Sequence, residues 1–315
     1  MEIMSITERA DVNSPEEQPV GESRRFNVST SAGEISVLDY GGHGVDTVMF
    51  HSPGFCADSL ALVAASMLEH CRVFSIELPG HGQAPTGGVS SREFWPVIPQ
   101  IVQGLGAARP VLVGFALSGF YVAAAAAENP GLASPVVDVG GWCLRTRAET
   151  AEFIEFLTAD DVMNGLAERM LLGACANDDE GMKTILRTLA RNAIHDFLIA
   201  DEESRFASRI ACTVQAMDDG TLVRLPTLDT MRLIYDLRPD DDVYPETALV
   251  ERIDETYKFV LTTEGMDQGL LERAHELAER KPNVHVTVVQ AGNNPQMSHP
   301  EPIGKAISRV TARLD

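Results

Sequence analysis

The chain has 315 residues and 44% hydrophobic composition, enough for one large α/β domain or a domain carrying an insertion. A formal net charge of −21 excludes the clustered cationic surface that nucleic acid needs and disfavours an anionic membrane face; it reads as an acidic, solvated surface. No apolar run is long enough to span a bilayer, and five scattered cysteines without C-x-x-C spacing read as reduced, buried thiols of a cytoplasmic protein.

In chain order, residues 1–24 are polar and acidic, expected as a flexible arm rather than a signal or transit peptide. "RRFNVSTSAGEISVLDYGG" alternates as a hairpin, Phe26 to Val28 and then Ile35 to Leu38. "DTVMFHSPGF" is a buried strand ending in a Pro/Gly turn, "CADSLALVAASMLEH" a helix, and "CRVFSIELPGHG" a strand entering a glycine-rich loop. A helix around "FWPVIPQIVQGLGA" precedes the strand Val111–Val113, an alanine-rich helix follows it, and "SPVVDVGGW" is another strand. This alternation predicts a parallel sheet with helices on both faces. Residues 145–250 then read as helices without strands, and the sheet rhythm returns with "YKFVLTTEGMD" and "VHVTVVQAG" before a last helix, "EPIGKAISRVTARL". A helical insertion there predicts a lid over the carboxyl ends of the strands, where open α/β sheets bind ligands.

The acidic clusters Asp160-Asp161, Asp178-Asp179-Glu180, Asp201-Glu202-Glu203 and Asp240-Asp241-Asp242 carry no His or Cys at ligand spacing, so they read as solvated turns and helix N-caps rather than metal sites. With no phosphate-binding glycine loop either, neither a metal nor an organic cofactor is implied. "PVLVGFALSGFYVAAAAAENP" (110–130) has the layout of a nucleophile elbow, a strand, a tight turn and a helix, but Ala116 stands at its apex.

Four stretches in order carry a resemblance: "HSPGF" (51–55), "ELPGHGQAP" (77–85), "GFALS" (114–118) and "AGNNPQMSHPE" (291–301). They resemble the H-G-x-P-G, D-x-P-G-x-G-x-S, G-x-S-x-G and G-H-x-P-x-x-x-x-P-E landmarks of the α/β-hydrolase superfamily, over nearly all of residues 26–313. The resemblance implies a mostly parallel central sheet flanked by helices, with a core of 25–144 and 251–315 and a helical lid of 145–250. Glu77 and Ala84 depart from the second landmark.

The family's serine aligns with Ala116 and its histidine with Asn293; only the acid, at Asp267, keeps its type. An alanine has no nucleophilic atom and an amide is no general base. The resemblance places oxyanion donors at Leu117 N–H and at Ser52 or Gly54 N–H, since Pro53 has none. Ser118 as a displaced nucleophile, His299 and His51 as replacement bases, Asp138 as an alternative acid, and Cys56 and Cys143 near the site are the other candidates. Phe55 and Trp142 would shape the cavity.

The expected function is an atypical enzyme, non-hydrolytic and of epimerase, cyclase or lyase type, acting on a hydrophobic carbonyl-containing natural-product or modified-peptide intermediate. The alternatives are an esterase, lactonase or thioesterase whose nucleophile is replaced by Ala116, and a non-catalytic ligand-binding protein. The expected partner is that small molecule or peptide, for a monomer or homodimer.

Overall fold

The computed structural model describes residues 23–196, 207, 210–264 and 269–311. The expected arm over 1–24 lies, but for its last two residues, outside them.

The hairpin forms as β1 (Arg24–Thr30) and β2 (Gly33–Gly42), with Phe26 opposite Val37 and Val28 opposite Ile35. β3 (Val45–Phe50), α1 (Ala61–Ala65) and β4 (Cys71–Ile76) follow. Next come α2 (Ser91–Phe94), α3 (Ile98–Leu105), β5 (Val111–Phe115), α4 (Ser118–Glu128) and β6 (Val136–Val139). After β6 the chain leaves the sheet through α5 (Arg147–Thr158), α6 (Asp160–Met170), β7 (Cys175–Ala176), α7 (Asp179–Asp196), β8 (Val214–Ala216) and β9 (Leu222–Arg224). It returns as β10 (Tyr257–Thr262) and β11 (Val284–Val289), and ends in the helices Pro295–Ser298 and Pro300–Thr311.

Eight strands form one sheet in the order β1-β2-β4-β3-β5-β6-β10-β11, parallel from β4 onward, so the expected α/β architecture holds. Alternate residues feed two cores. Val48, Phe50, Leu112 and Phe259 pack on one face with α3 and α4, whereas Met49, Val113, Val137 and Val260 pack on the other with α1 and the last helix. A strand buried on both faces needs apolar side chains at every position, which is why these runs do not alternate.

The stretch between β6 and β10 departs from the all-helical expectation. β7, β9 and β8 form a three-stranded antiparallel sheet. Strands of two or three residues are too short to display a period-2 pattern, and β7 finds β9 only across distant sequence. The acidic residues sit largely as expected: Asp160 and Asp161 in the first turn of α6, Asp179 and Glu180 in that of α7, and the Asp241 carboxylate accepting the Arg238 N–H in a turn. The cluster at 201–203 lies outside the described residues. Within them no helix is long and apolar enough to cross a membrane.

α4 lies close against β5 and β6, buried along its length from Ser118 to Ala127, and this proximity explains its alanines. The approach to β6 is tight at Gly119, where a Cβ would stand 2.1 Å from Asp138 Oδ1. Gly119→Ala is therefore expected to destabilise the fold by about 2 kcal/mol, outweighing alanine's helix preference of about 1 kcal/mol. Denaturant unfolding would measure it.

Candidate active site

The elbow is built by close packing. β5 ends at Phe115, Ala116 takes a left-handed φ of 51°, and α4 begins at Ser118. Ala116 N–H donates to Val139 O at 2.8 Å, while its carbonyl accepts from Gly119 N–H at 2.8 Å. A Cβ on Gly114 would lie 2.0 Å from the Ser118 carbonyl oxygen, so only glycine permits so sharp a reversal. The apex residue is half-buried, and Leu117 N–H makes no hydrogen bond within the described residues. Ser118 is fully buried with its hydroxyl donated to His51 O at 2.8 Å, which takes it out of consideration as a displaced nucleophile.

The loop after β3 lies beside this turn. His51 is wholly buried: Nδ1–H donates to Ser52 O at 2.9 Å, and Nε2 accepts Leu78 N–H at 3.1 Å and lies 3.2 Å from Glu77 Oε1. Both ring nitrogens are engaged, so His51 braces the loop and offers no nitrogen to a substrate, against its expected part in proton handling. Glu77, also buried, accepts Ala57 N–H at 2.9 Å and Gln83 N–H at 3.2 Å and pairs with Arg25 at 3.2 Å. Gly82 packs so tightly on it that a Cβ would lie 2.7 Å from either carboxylate oxygen. Ser52 N–H and Gly54 N–H make no hydrogen bond within the described residues, whereas Phe55 N–H turns back to Ser52 O at 3.2 Å. Gly54 has a φ of 91°, and the Phe55 ring belongs to an apolar cluster with Met170, Met182, Leu222 and Met297.

The remaining candidates are spread around this centre. Asn293 is half-buried on the turn after β11. Beyond it Asn294 takes a φ of 53°, and Gln296 donates to Ser52 Oγ at 3.2 Å, joining the closing loop to the loop after β3. His299 is half-buried with Nδ1 2.9 Å from Ser298 Oγ. Asp267 lies outside the described residues. Asp138 sits behind the elbow, accepting Gly141 N–H at 3.0 Å and Tyr257 Oη–H at 3.4 Å, a bracing role. Burial, then the Asp138 charge, pushes the Cys143 thiol well up, so it is no nucleophile. Trp142 is buried and stacks on Tyr235 with ring centroids 6.1 Å apart.

Three further features escaped sequence reasoning. Cys56 and Cys212 form a disulfide with Cα atoms 6.4 Å apart, correcting the reading of five free thiols and removing its support for a cytoplasmic location. Cys143 and Cys175 are free thiols, and Cys71 is in no disulfide. Arg224, at the end of β9 and 1% exposed, donates to Gly54 O at 2.8 Å while its Nε and Nη1 have no partner among the described residues; burial lowers its pKa to about 10. His81 donates Nδ1–H to Pro79 O at 3.0 Å, and its Nε2 has no partner among the described residues. Burial, with the neighbouring His51 next, holds its pKa well below the ordinary histidine value.

A sharp strand–turn–helix at the carboxyl edge of a mostly parallel sheet flanked by helices defines the class, an α/β scaffold. The sequence matches the alpha/beta hydrolase family over residues 42–306, and the chain belongs to that family. Solved structures share the fold at low identity. E-2-(acetamidomethylene)succinate hydrolase is 16% identical with a TM-score of 0.72, covering 92% of this chain and 100% of its own. The thioesterase domain from the curacin biosynthetic pathway is 14% identical with a TM-score of 0.67, covering 91% and 99%. An esterase of M. tuberculosis is 19% identical with a TM-score of 0.67, covering 97% and 96%. The chain has no match among curated proteins.

A left-handed alanine carries strain that glycine does not. Ala116→Gly is expected to stabilise the protein by about 1 kcal/mol, whereas Ala124→Gly in the middle of α4 should cost a similar amount. Paired denaturant curves would test the contrast. His81 yields a second expectation. Unfolded, it binds a proton near pH 6.5; folded, it stays neutral well below that, so the unfolded chain binds more protons and stability falls as pH drops through about 6.5. The melting temperature of His81→Asn should fall less steeply than that of the wild type between about pH 7.5 and 5.5.

Proposed function

We propose that this chain is an α/β-hydrolase-fold enzyme that works without a serine–histidine pair, promoting an epimerase-, cyclase- or lyase-type step on a hydrophobic carbonyl compound such as a natural-product or modified-peptide intermediate. The observation that carries this reading is Ala116: the turn keeps its left-handed φ of 51° and its place before α4, yet a methyl group stands at the apex. Two of the side chains that could stand in are committed elsewhere, Ser118 to His51 O and the His51 ring to Ser52 O and Leu78 N–H.

Under this reading Leu117 N–H and the amide of Ser52 or Gly54 polarise a substrate carbonyl. Spreading charge onto that oxygen acidifies the adjacent C–H, and donors fixed in place need no reorganisation as charge develops. Asp267, assigned by sequence alone, takes and returns the proton, with no covalent intermediate and no net use of water. Asn293 donates a hydrogen bond to the substrate, and Trp142 and the residues between β6 and β10 exclude water.

The test is to rebuild the absent pair. Ala116→Ser alone should leave p-nitrophenyl ester and lactone turnover at background, and Ala116→Ser with Asn293→His should raise it by about a hundredfold or more. Substantial turnover by the single variant would instead make the chain a serine hydrolase with a replaced nucleophile. A ligand bound tightly and recovered unchanged would favour a binding protein.

A further inference from the structure

A buried cation with no counter-ion among the described residues lies against the loop after β3. Arg224 reaches from β9 onto the loop after β3, where one of its nitrogens holds Gly54 O at 2.8 Å. Its Nε and Nη1 carry three N–H bonds, none with a partner, and no carboxylate lies within ion-pair distance of it among the described residues. His81 Nε2, buried nearby within reach of the Arg224 field, is likewise unpartnered.

Water could satisfy a donor here but would not neutralise the guanidinium, and an isolated buried charge is costly. A carboxylate supplies both what is missing, an acceptor oxygen for an open N–H and a charge that balances the cation. The surroundings describe the rest of the ligand. Phe55, Met170, Met182, Leu222 and Met297 form one apolar cluster against this loop, and Met170 Cε lies 2.5 Å from where a Cβ on Gly54 would stand. Three methionines give a surface that repacks readily around an apolar body.

We propose that Arg224 is the anchor for the carboxylate of an amphipathic small molecule, whose apolar body packs among Phe55 and these methionines. The proposal goes beyond the elbow chemistry and does not depend on it, because it concerns what is bound rather than what is done to it.

Calorimetric titration of the full chain with 4-phenylbutyrate and its uncharged isostere 4-phenylbutanamide tests this. The carboxylate is expected to bind about tenfold more tightly than the amide, and Arg224→Gln should reduce that preference to about twofold or less. Arg224→Lys keeps the charge without the fork and should retain an intermediate preference. If Arg224→Gln fails to fold, as judged by circular dichroism, the lysine variant decides: an unchanged preference overturns the proposal. Equal binding of the two probes by the wild type also overturns it, as does no carboxylate binding at about 10 mM. Displacement of 4-phenylbutyrate by inorganic phosphate at lower concentration would do the same, pointing to an inorganic anion. Because the readout is binding, failure of the rebuilt-pair experiment leaves this result standing, and the reverse also holds.

Discussion

The reversal of the chain between β5 and α4 is the constraint on which the rest depends. Within three residues the backbone leaves a fully buried strand and enters a fully buried helix. It can do so only because Gly114 yields to the Ser118 carbonyl and Gly119 yields to the Asp138 carboxylate. Asp138 is then held by Gly141 N–H and Tyr257 Oη–H, which fixes the end of β6 against the same turn. A residue at the apex is forced into the left-handed region whatever its side chain. The geometry is thus a property of the neighbours, and it survives an apex residue with no chemistry of its own.

The adjoining loops hang from this turn through buried polar groups, and the contrast between two of them is instructive. Glu77 is a fully buried carboxylate, but it gathers two backbone N–H groups and Arg25, so its charge is shared among donors. It thereby ties the loop after β3 to the loop after β4 and to the first strand. Arg224 is almost as buried and has a single backbone partner. The first arrangement closes on itself as structure; the second remains open to a counter-ion from outside the chain.

Sheet and elbow were legible in the sequence because their signals are local. The apolar run Val111–Val113 and the Gly114, Ala116 and alanine pattern report strand, turn and helix within about twenty residues. What stayed hidden depends on distance along the chain. Cys56 and Cys212 are 156 residues apart, and nothing in their spacing selects them from the five cysteines. β7 and β9 are too short to announce themselves, so Arg224 in "TLVRLP" reads as an ordinary surface charge until the small sheet turns it inward. His51 and Ser118 were legible as residues of the site, but not as partners that use up each other's polar groups across 67 positions.

Two costs stand out: a strained alanine where glycine would relax the turn, and a desolvated guanidinium where a methionine would fill the space without charge. Neither follows from the needs of the fold, since the sheet, the two cores and the Glu77 network are complete without them. Strain and unpaired charge of this kind persist where bound ligand offsets them, because stabilisation by ligand enters only in the occupied state. The Cys56–Cys212 link and the Gln83 amide donating to Val214 O hold β8 and its neighbours against the same loop, so the stretch carrying Arg224 is fixed to the core at the place where its charge is needed.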